Sequence, residues 1–307
     1  MLSRRLAALD VGTNNVQFII ADVAADGSVT PVFESAEITR LGEGSLEDHT
    51  LKKDPMARTV LAVSEAANKA TELGAEWAGA VATSAARDAK NGRAFMIMAQ
   101  AVGAPLSIIT GDEEADLAFL SVTASPPAGA AKQIVMLDIG GGSTELAIGS
   151  AQTPEHRVSL NIGAVRLTEK HVQRHPLSKE MLAELRGDAR LAFSRAPVAA
   201  GEFSLVGVAG TITTLASVQQ KLASHDPQKV HGSALDLADL EQLTDDLAKM
   251  TLDARKALPG MEAKRADVIV AGAAIALEAM IHLGADQLFV SNRGVHWGLL
   301  HKKIAGS

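Results

Sequence analysis

The sequence has no cysteine and no tyrosine, and aromatic residues make up only 3% of its 307 positions. The absence of cysteine excludes a disulfide framework, a thiol nucleophile and any metal site with cysteine ligands. A chain without disulfides is typical of the reducing cytoplasm, so we expect a cytoplasmic protein. Any chemistry in this chain must use carboxylates, hydroxyls, basic side chains or backbone groups.

Positive charge and long apolar runs are also scarce. Lysine and arginine number 29 against 36 aspartates and glutamates, a formal net charge of −7, which argues against nucleic acid as a partner. An anionic ligand would have to be held by local groups against this overall field. The most apolar long stretch, 266–290, contains Asp267, Glu278 and Asp286, so we expect no membrane-spanning helix and no membrane partner.

The length and apolar content are those of a globular protein. The chain has 47% hydrophobic and 21% charged residues, which is enough apolar surface to build a core. Its 307 residues predict two domains or one large α/β unit. Strand-like apolar runs alternate with helical patterns along the chain, which predicts the α/β class with mixed sheets.

An apolar run that ends in aspartate occurs twice, and each copy continues into a glycine turn and a second apolar run. Leu9-Asp10-Val11-Gly12-Thr13 resembles Leu137-Asp138-Ile139-Gly140-Gly141, and the two aspartates are 128 positions apart. Each copy predicts a β-hairpin. The pair indicates an internal duplication, with chance recurrence in a glycine-rich chain as the alternative. Ser125-Pro126-Pro127-Ala128-Gly129 is the best linker between the two halves.

The two glycine turns differ in how strongly they point to a bound anion. Gly12, Thr13 and Asn14 offer N–H groups and polar side chains after Asp10, but taken alone a plain hairpin turn explains them better. The second turn, Asp138-Ile139-Gly140-Gly141-Gly142-Ser143-Thr144-Glu145, has three successive glycines. Three glycines are costly in backbone entropy, so close approach of the backbone to phosphate explains them better. Glu145 would then bind the same metal as Asp138 or position water.

A strand-to-helix junction and a helix start carry further candidates. At Gly210-Thr211 the free N–H groups of a helix N-terminus attract anions, although tight packing explains the glycine equally well. Thr110-Gly111-Asp112-Glu113 predicts a capping box for the helix that carries Glu114. The helix dipole alone accounts for a carboxylate there. Beside bound phosphates, the same carboxylate could accept a proton from water.

The remaining patterns narrow the class of phosphate-binding protein. The sequence contains no Gly-x-x-x-x-Gly-Lys-Ser/Thr segment and no Gly-x-Gly-x-x-Gly after the first strand, so a P-loop and a Rossmann fingerprint are excluded. Arg87 follows a predicted strand. Its guanidinium could bind two phosphate oxygens at once, although a surface arginine is the commoner case.

Read together, these segments resemble the exopolyphosphatase and guanosine pentaphosphate phosphohydrolase family, in the superfamily of actin and the sugar kinases. The resemblance covers nearly the whole chain, and its most specific part combines the triple-glycine segment with Gly111-Asp112-Glu113-Glu114-Ala115. Further matching segments are Thr83–Ala89, Ala209–Thr211, Val230–Gly232, Lys264–Asp267 and Gly272–Ala274. The resemblance implies two ribonuclease-H-like lobes, 1–124 and 125–293, with an active site in the cleft between them. It also allows the last helix, about 294–307, to pack back on the first lobe.

The resemblance implies hydrolysis of the terminal phosphoanhydride of inorganic polyphosphate, or of the 5′ γ-phosphate of pppGpp, with Mg²⁺ (or Mn²⁺). Glu114 matches the carboxylate that activates or orients water, and Glu145 matches a second catalytic acid. The metal-related positions are Asp10, Asp138 and Glu145. The phosphate-binding positions are Gly12, Thr13, Asn14, Arg87, Gly141, Gly142, Ser143, Gly210 and Thr211.

Two departures from the family pattern bear on the substrate. Longer members carry an additional helical C-terminal region that contributes to binding long chains, so short polyphosphate is the leading expectation here. Asn292 stands where members often have aspartate, with no consequence that the sequence explains. A pppGpp phosphohydrolase, a non-catalytic regulator that binds pppGpp or ppGpp, and a kinase of the wider superfamily are the alternatives. The family also allows a homodimer, for which no segment indicates an interface.

Overall fold

The computed structural model describes residues 4–224 and 226–306, whose contacts divide the chain into two compact units. Unit 1 comprises the described residues up to Ser121 together with those from Val295 onward, and unit 2 is Val122–Gly294. The first division thus lies three residues before the expected boundary after residue 124, and the last helix belongs to unit 1. Each unit has a hydrophobic core of its own.

Unit 1 is one five-stranded sheet with helices packed on it. Its strands are β1 (Arg4–Val11), β2 (Asn15–Val23), β3 (Val29–Ile38), β4 (Glu76–Ala82) and β5 (Leu106–Ile108). Its helices are α1 (Lys53–Glu72), α2 (Ser84–Asp88), α3 (Gly92–Ala101), α4 (Gly111–Thr123) and the last helix, α12 (Val295–Ala305). The strand order is β3-β2-β1-β4-β5, with β1, β4 and β5 parallel and β2 antiparallel to both of its neighbours.

The central position of β1 explains its sequence. The strand is buried from Leu6 to Val11 and is contacted by both α1 and α12, so apolar residues point to both faces. Asp10 is the single charged residue in this buried part and lies near the carboxyl end. Helix α1 has Pro55 in its first turn, where a missing N–H costs nothing.

Unit 2 repeats this plan around a six-stranded sheet. Its strands are β6 (Gln133–Ile139), β7 (Thr144–Gly149), β8 (His156–Leu160), β9 (Phe203–Val208), β10 (Ala234–Asp236) and β11 (Gln287–Val290). Its helices are α5 (Ala164–His171), α6 (Lys179–Phe193), α7 (Ala209–Gln219), α8 (Pro227–Val230), α9 (Leu237–Lys249), α10 (Leu252–Lys256) and α11 (Ile269–Leu283), with a 3₁₀ turn at Ala263–Arg265. The strand order is β10-β11-β9-β6-β7-β8.

Helix α11 accounts for the most apolar stretch of the sequence. It is buried around almost its whole circumference, and within it Glu278 is only 1% exposed. Arg186 and Arg190 of α6 donate hydrogen bonds of 2.6 and 3.0 Å to the Glu278 carboxylate, which compensates a charge that would otherwise be costly to bury. In residues 4–224 and 226–306 no helix is both long and apolar enough to cross a membrane.

The two sheets share one topology, which confirms the predicted α/β class with two mixed, ribonuclease-H-like sheets. In each unit three consecutive antiparallel strands are followed by a parallel strand that pairs with the first of them. The predicted hairpins are β1–β2 and β6–β7, and their registers place Asp10 and Asp138 at equivalent positions. Strand β10 is an extra edge strand of unit 2, paired antiparallel to β11.

Short sequence patterns predicted the capping box of α4 but not strand β3. The capping box is confirmed, because the Thr110 hydroxyl accepts a bond from the Glu113 N–H and the Glu113 carboxylate accepts one from the Thr110 N–H. Strand β3 was not predicted. It is an exposed edge strand that contains Pro31, so it lacks the apolar alternation that marks a buried strand and tolerates a residue without an N–H.

Replacing Gly298 by alanine tests the packing of α12 on α4. A Cβ at Gly298 would lie 2.0 Å from the Leu117 carbonyl oxygen, so we expect the free energy of unfolding to fall by about 1–3 kcal/mol. Gly306→Ala, directly after the same helix, is the control, because its Cβ would make only an ordinary 3.5 Å contact. Both tryptophans, Trp77 and Trp297, belong to unit 1, so their fluorescence during urea unfolding reports the effect. Equal midpoints for the two variants would contradict the packing described.

Candidate active site

In unit 1 the candidate residues of the first hairpin form a turn that is held by backbone hydrogen bonds. Gly12 donates to the Asn15 carbonyl at 2.9 Å, Gly42 donates to the Thr13 carbonyl at 2.9 Å, and Arg40 donates to the Asn14 carbonyl at 2.9 Å. The side chains of Thr13 and Asn14 are buried. Within the described part of the chain, the Thr13 hydroxyl and the Asn14 Oδ1 have no hydrogen-bond partner. Buried polar atoms of this kind fit a polar ligand that supplies the missing bonds.

The structure brings Arg87 and Glu114 together, although they come from different elements. Arg87 is in the short helix α2 after β4, and its Nη1 donates to the Glu114 Oε2 at 3.1 Å and to the Ile109 carbonyl at 3.1 Å. Glu114 occupies the first turn of α4 and is buried. Burial raises the pKa of the Glu114 carboxyl, while the charge of Arg87 and hydrogen bonds from Arg87 and Thr83 act in the opposite direction. Glu114 is therefore a buried carboxylate whose affinity for a proton is enhanced.

In unit 2 the register of the second hairpin places two acids face to face. Asp138 on β6 is paired directly with Glu145 on β7, and residues opposite each other on an antiparallel pair point to the same side of the sheet. Both carboxylates are buried, and Glu145 is 0% exposed. The Ser159 hydroxyl donates to Glu145 Oε1 at 2.7 Å, which fixes that carboxylate beside its partner.

The triple-glycine turn between these acids is held by a segment that the sequence did not single out. The Gly140 carbonyl accepts a bond from the Ala164 N–H, the Gly141 carbonyl accepts bonds from the Val165 and Arg166 N–H groups, and Arg166 Nε donates to the Gly142 carbonyl at 2.7 Å. A Cβ at Gly163 would lie 2.4 Å from the Gly141 carbonyl oxygen. This contact requires glycine at position 163, so the turn and the start of α5 form one rigid element.

The third candidate segment lies beside this turn at the carboxyl end of β9. Val208 is paired with Asp138, so the start of α7 lies next to the end of β6. The Thr211 hydroxyl donates to the Ile139 carbonyl at 3.1 Å. That proton is therefore engaged within the protein, and the N–H groups at the start of α7 are what Gly210 and Thr211 offer to an anion.

A buried arginine that was not predicted lies over the same helix start. The guanidinium of Arg265 occupies the space where a Cβ on Gly210 would be, 2.3 Å from its Cζ. Arg265 is buried and its Nε is hydrogen-bonded to Glu262. Its segment, Lys264–Asp267, contributed to the family resemblance, but no local pattern could have placed the side chain against Gly210.

The donor set fits a hard divalent cation that keeps other ligands. Carboxylates are the ligands that Mg²⁺ prefers, and it commonly binds through one or two of them together with water and phosphate oxygens. Asp138 and Glu145 supply two such carboxylates side by side, and Asp10 supplies one in unit 1. Among residues 4–224 and 226–306, no group of three or more histidines or acids could hold a metal alone. A complete coordination sphere therefore needs oxygen atoms from water or a ligand.

Comparisons of the sequence and of the structure with known proteins agree on one family. A model of the Ppx/GppA phosphatase family matches residues 19–305. Exopolyphosphatase 2 of Mycobacterium tuberculosis is 36% identical over 97% of this chain and 98% of its own length. Exopolyphosphatase 1 of the same organism is 32% identical over 98% of this chain and 88% of its own length. The crystal structure of the Aquifex aeolicus member of the Ppx/GppA protein family has a TM-score of 0.84 and 31% identity, covering 99% of both chains.

Replacing Glu114 by glutamine tests the burial of its charge without reference to any substrate. Because the folded protein raises this pKa, the stability contributed by the protonated form is present below the ordinary glutamate pKa and is lost as the pH rises through the raised value. We therefore expect the wild-type free energy of unfolding, measured against that of Glu114→Gln, to be lower at about pH 8 than at about pH 5.

Tryptophan fluorescence during urea unfolding measures this difference. Asp112→Asn is the matched control, because Asp112 is an exposed carboxylate in the same helical turn. The account would be wrong if wild type and Glu114→Gln differed by the same amount at both pH values.

Proposed function

Because the chain belongs to the Ppx/GppA phosphatase family and is a phosphoanhydride hydrolase, we propose that it hydrolyses the terminal phosphoanhydride of inorganic polyphosphate, with short chains preferred. The acceptor is water and the cofactor is Mg²⁺ (or Mn²⁺). The observation that carries the proposal is the second hairpin, in which a triple-glycine turn joins two buried carboxylates that face each other, Asp138 and Glu145. Exopolyphosphatases in Mycobacterium tuberculosis, 36% and 32% identical to this chain, support polyphosphate as the substrate.

Glu114 is the group that activates water. A water oxygen attacks the terminal phosphorus, its proton passes to the Glu114 carboxylate, and the bridging P–O bond breaks to release orthophosphate and a shortened chain. Burial raises the pKa of Glu114, which strengthens it as a base near neutral pH. The 3.1 Å bond from Arg87 fixes the carboxylate in one orientation and favours its ionised form.

The remaining groups bind and position the phosphates. The backbone N–H groups of the glycine turns and of the α7 start are suited to phosphate oxygens. The proposed phosphate-binding residues are Gly12, Thr13, Asn14, Arg87, Gly141, Gly142, Ser143, Gly210 and Thr211. Phosphoryl transfer depends on such positioning and on charge neutralisation more than on covalent catalysis.

Asp138 and Glu145 in unit 2 and Asp10 in unit 1 are the proposed metal-binding side chains. When bound, Mg²⁺ neutralises negative charge on the phosphate oxygens and so favours attack by water. Glu145 has a second proposed role in catalysis, since its carboxylate is held by Ser159 beside Asp138.

The direct test compares phosphate release from short polyphosphate, long polyphosphate and pppGpp, each with Mg²⁺ and with EDTA. We expect the fastest release from short polyphosphate. We also expect release to be lost in EDTA, because the chain is acidic overall and the substrates are anionic. Release from pppGpp alone would assign the site to that alarmone instead. Absence of release from all three would contradict the proposal and favour a regulator that binds without catalysis.

Glu114→Gln tests the proposed base. Loss of general-base assistance lowers rates by roughly 10²- to 10⁴-fold, so we expect kcat to fall by at least about 10²-fold. The variant should stay folded, because glutamine has the same shape. Asp112→Asn, which changes an exposed carboxylate in the same turn, should retain near-normal turnover. Near-normal turnover of Glu114→Gln would remove this residue from the mechanism.

A further inference from the structure

Unit 2 contains a fully buried arginine outside the candidate site. Arg255, in the short helix α10, is 0% exposed. Its Nη1 donates to the Ala266 carbonyl at 2.6 Å, and its Nη2 is hydrogen-bonded to the Nδ1 of His175. Burial lowers the pKa of the Arg255 guanidinium, and the charge of Asp267 acts in the opposite direction. Burying a cation is costly, and an apolar side chain would fill the same space without that cost.

The bond to Ala266 fixes the segment that carries Arg265. Ala266 follows Arg265 directly in the chain. On the other side of Arg265, the Glu262 carbonyl accepts a bond of 2.7 Å from the Arg265 N–H, and the Glu262 carboxylate accepts one from the Arg265 side chain. Arg265 therefore lies between two fixed points of the chain, one of which is held by Arg255.

Arg265 in turn lies against the start of α7. Its guanidinium occupies the space of a Cβ on Gly210, so a positive charge lies beside the positive end of a helix dipole. Within the described part of the chain, no side chain caps α7, and its first turn has no acidic residue. The guanidinium and the free N–H groups repel each other, and a bound phosphate relieves the repulsion by pairing with both. Without that anion, other contacts must hold Arg265 in place.

We propose that Arg255 is a positioning residue for the phosphate site at the start of α7: through the Ala266 carbonyl it holds the guanidinium of Arg265 against Gly210, and His175 fixes Arg255 in the orientation that this requires. A guanidinium suits this role because its planar fork donates to two separate acceptors at once. Arg255 acts through Arg265, since it is itself fully buried. The inference rests on the proposed function, because it concerns phosphate binding at that same site.

Four variants of the full chain test this role. Arg255→Lys keeps the charge but loses the fork that reaches both acceptors. His175→Ala removes one acceptor of Arg255. His175→Asn restores it, because the asparagine Oδ1 lies about where the imidazole Nδ1 does and accepts a hydrogen bond. Arg186→Lys is the matched control, because Arg186 is a half-buried arginine of unit 2 that donates at 2.6 Å to the buried Glu278 instead of to this segment.

Two measurements separate positioning from stability. Circular dichroism establishes that each variant is folded, and phosphate release from short polyphosphate with Mg²⁺ gives kcat and KM. Inorganic phosphate, titrated by calorimetry with Mg²⁺, gives a Kd without turnover. A variant that is only less stable has fewer active molecules, which lowers the apparent kcat and leaves KM unchanged. Loss of a positioned binding group raises KM and Kd instead.

We expect Arg255→Lys to raise KM and Kd by at least about tenfold, the scale of one lost hydrogen bond from a charged donor, with little change in kcat. His175→Ala should raise both by a smaller factor, about threefold to tenfold, because Arg255 keeps its bond to Ala266. His175→Asn should restore the wild-type values, and Arg186→Lys should leave KM and Kd unchanged.

The role of Arg255 is overturned if folded Arg255→Lys and His175→Ala both keep the wild-type KM and Kd, or if His175→Asn is as impaired as His175→Ala. It is also overturned if Arg186→Lys raises Kd as much as Arg255→Lys does. Where Arg255→Lys does not fold, the comparison of the two His175 variants decides. Failure of the proposed function is a different result: the wild type then releases no phosphate from polyphosphate with Mg²⁺, while the Kd values for inorganic phosphate still test Arg255.

Discussion

The register of the antiparallel β6–β7 hairpin is the constraint that sets Asp138 and Glu145 opposite each other. Pairing of β6 with β7 sets Asp138 opposite Glu145, and a slip of one residue would turn one of them to the opposite face of the sheet. The register is fixed because the other face of the same strands carries Leu137, Leu146 and their neighbours into the core of unit 2. Core packing therefore keeps the two carboxylates on the same face of the sheet.

The triple-glycine turn is also shaped by contacts with a neighbouring segment. Its carbonyls accept bonds from the residues at the start of α5, and Gly163 allows the two segments to approach within the space of a side chain. The turn is thus held by backbone bonds from the start of α5 and by one side-chain bond, from Arg166 Nε to the Gly142 carbonyl. Preorganised backbone groups suit phosphoryl transfer, because they need no rearrangement when charge develops on the transferred group.

Burial of Glu114 links stability to chemistry in unit 1. The fold raises the pKa of this carboxyl by removing it from water, and Arg87 limits the rise by its charge and its hydrogen bond. A carboxylate exposed on the helix surface, such as Asp112, would satisfy the helix dipole equally well. The helix dipole thus explains an acid in the first turn of α4, whereas burial is what makes Glu114 suited to accept a proton, and the contact with Arg87 favours its ionised form.

Much of this arrangement was predictable because it follows from local patterns. The α/β class, both hairpins and the Thr110–Glu113 capping box depend on residues close in sequence. Strand β3 was missed because an exposed edge strand lacks apolar alternation. Gly163 and Arg265 were missed as site residues because their roles arise from contacts with the distant Gly141 and Gly210. Such contacts leave no periodic signal in a single sequence.

Incorporation of solvent oxygen into the product gives the most direct test of hydrolysis by activated water. The reaction is run with Mg²⁺ and short polyphosphate in ¹⁸O-labelled water, and the released orthophosphate is analysed by mass spectrometry. Attack of water on the terminal phosphorus predicts one solvent oxygen in each released phosphate and none in the shortened chain. Unlabelled orthophosphate, or label in the shortened chain, would show that water does not attack that phosphorus and would contradict the account.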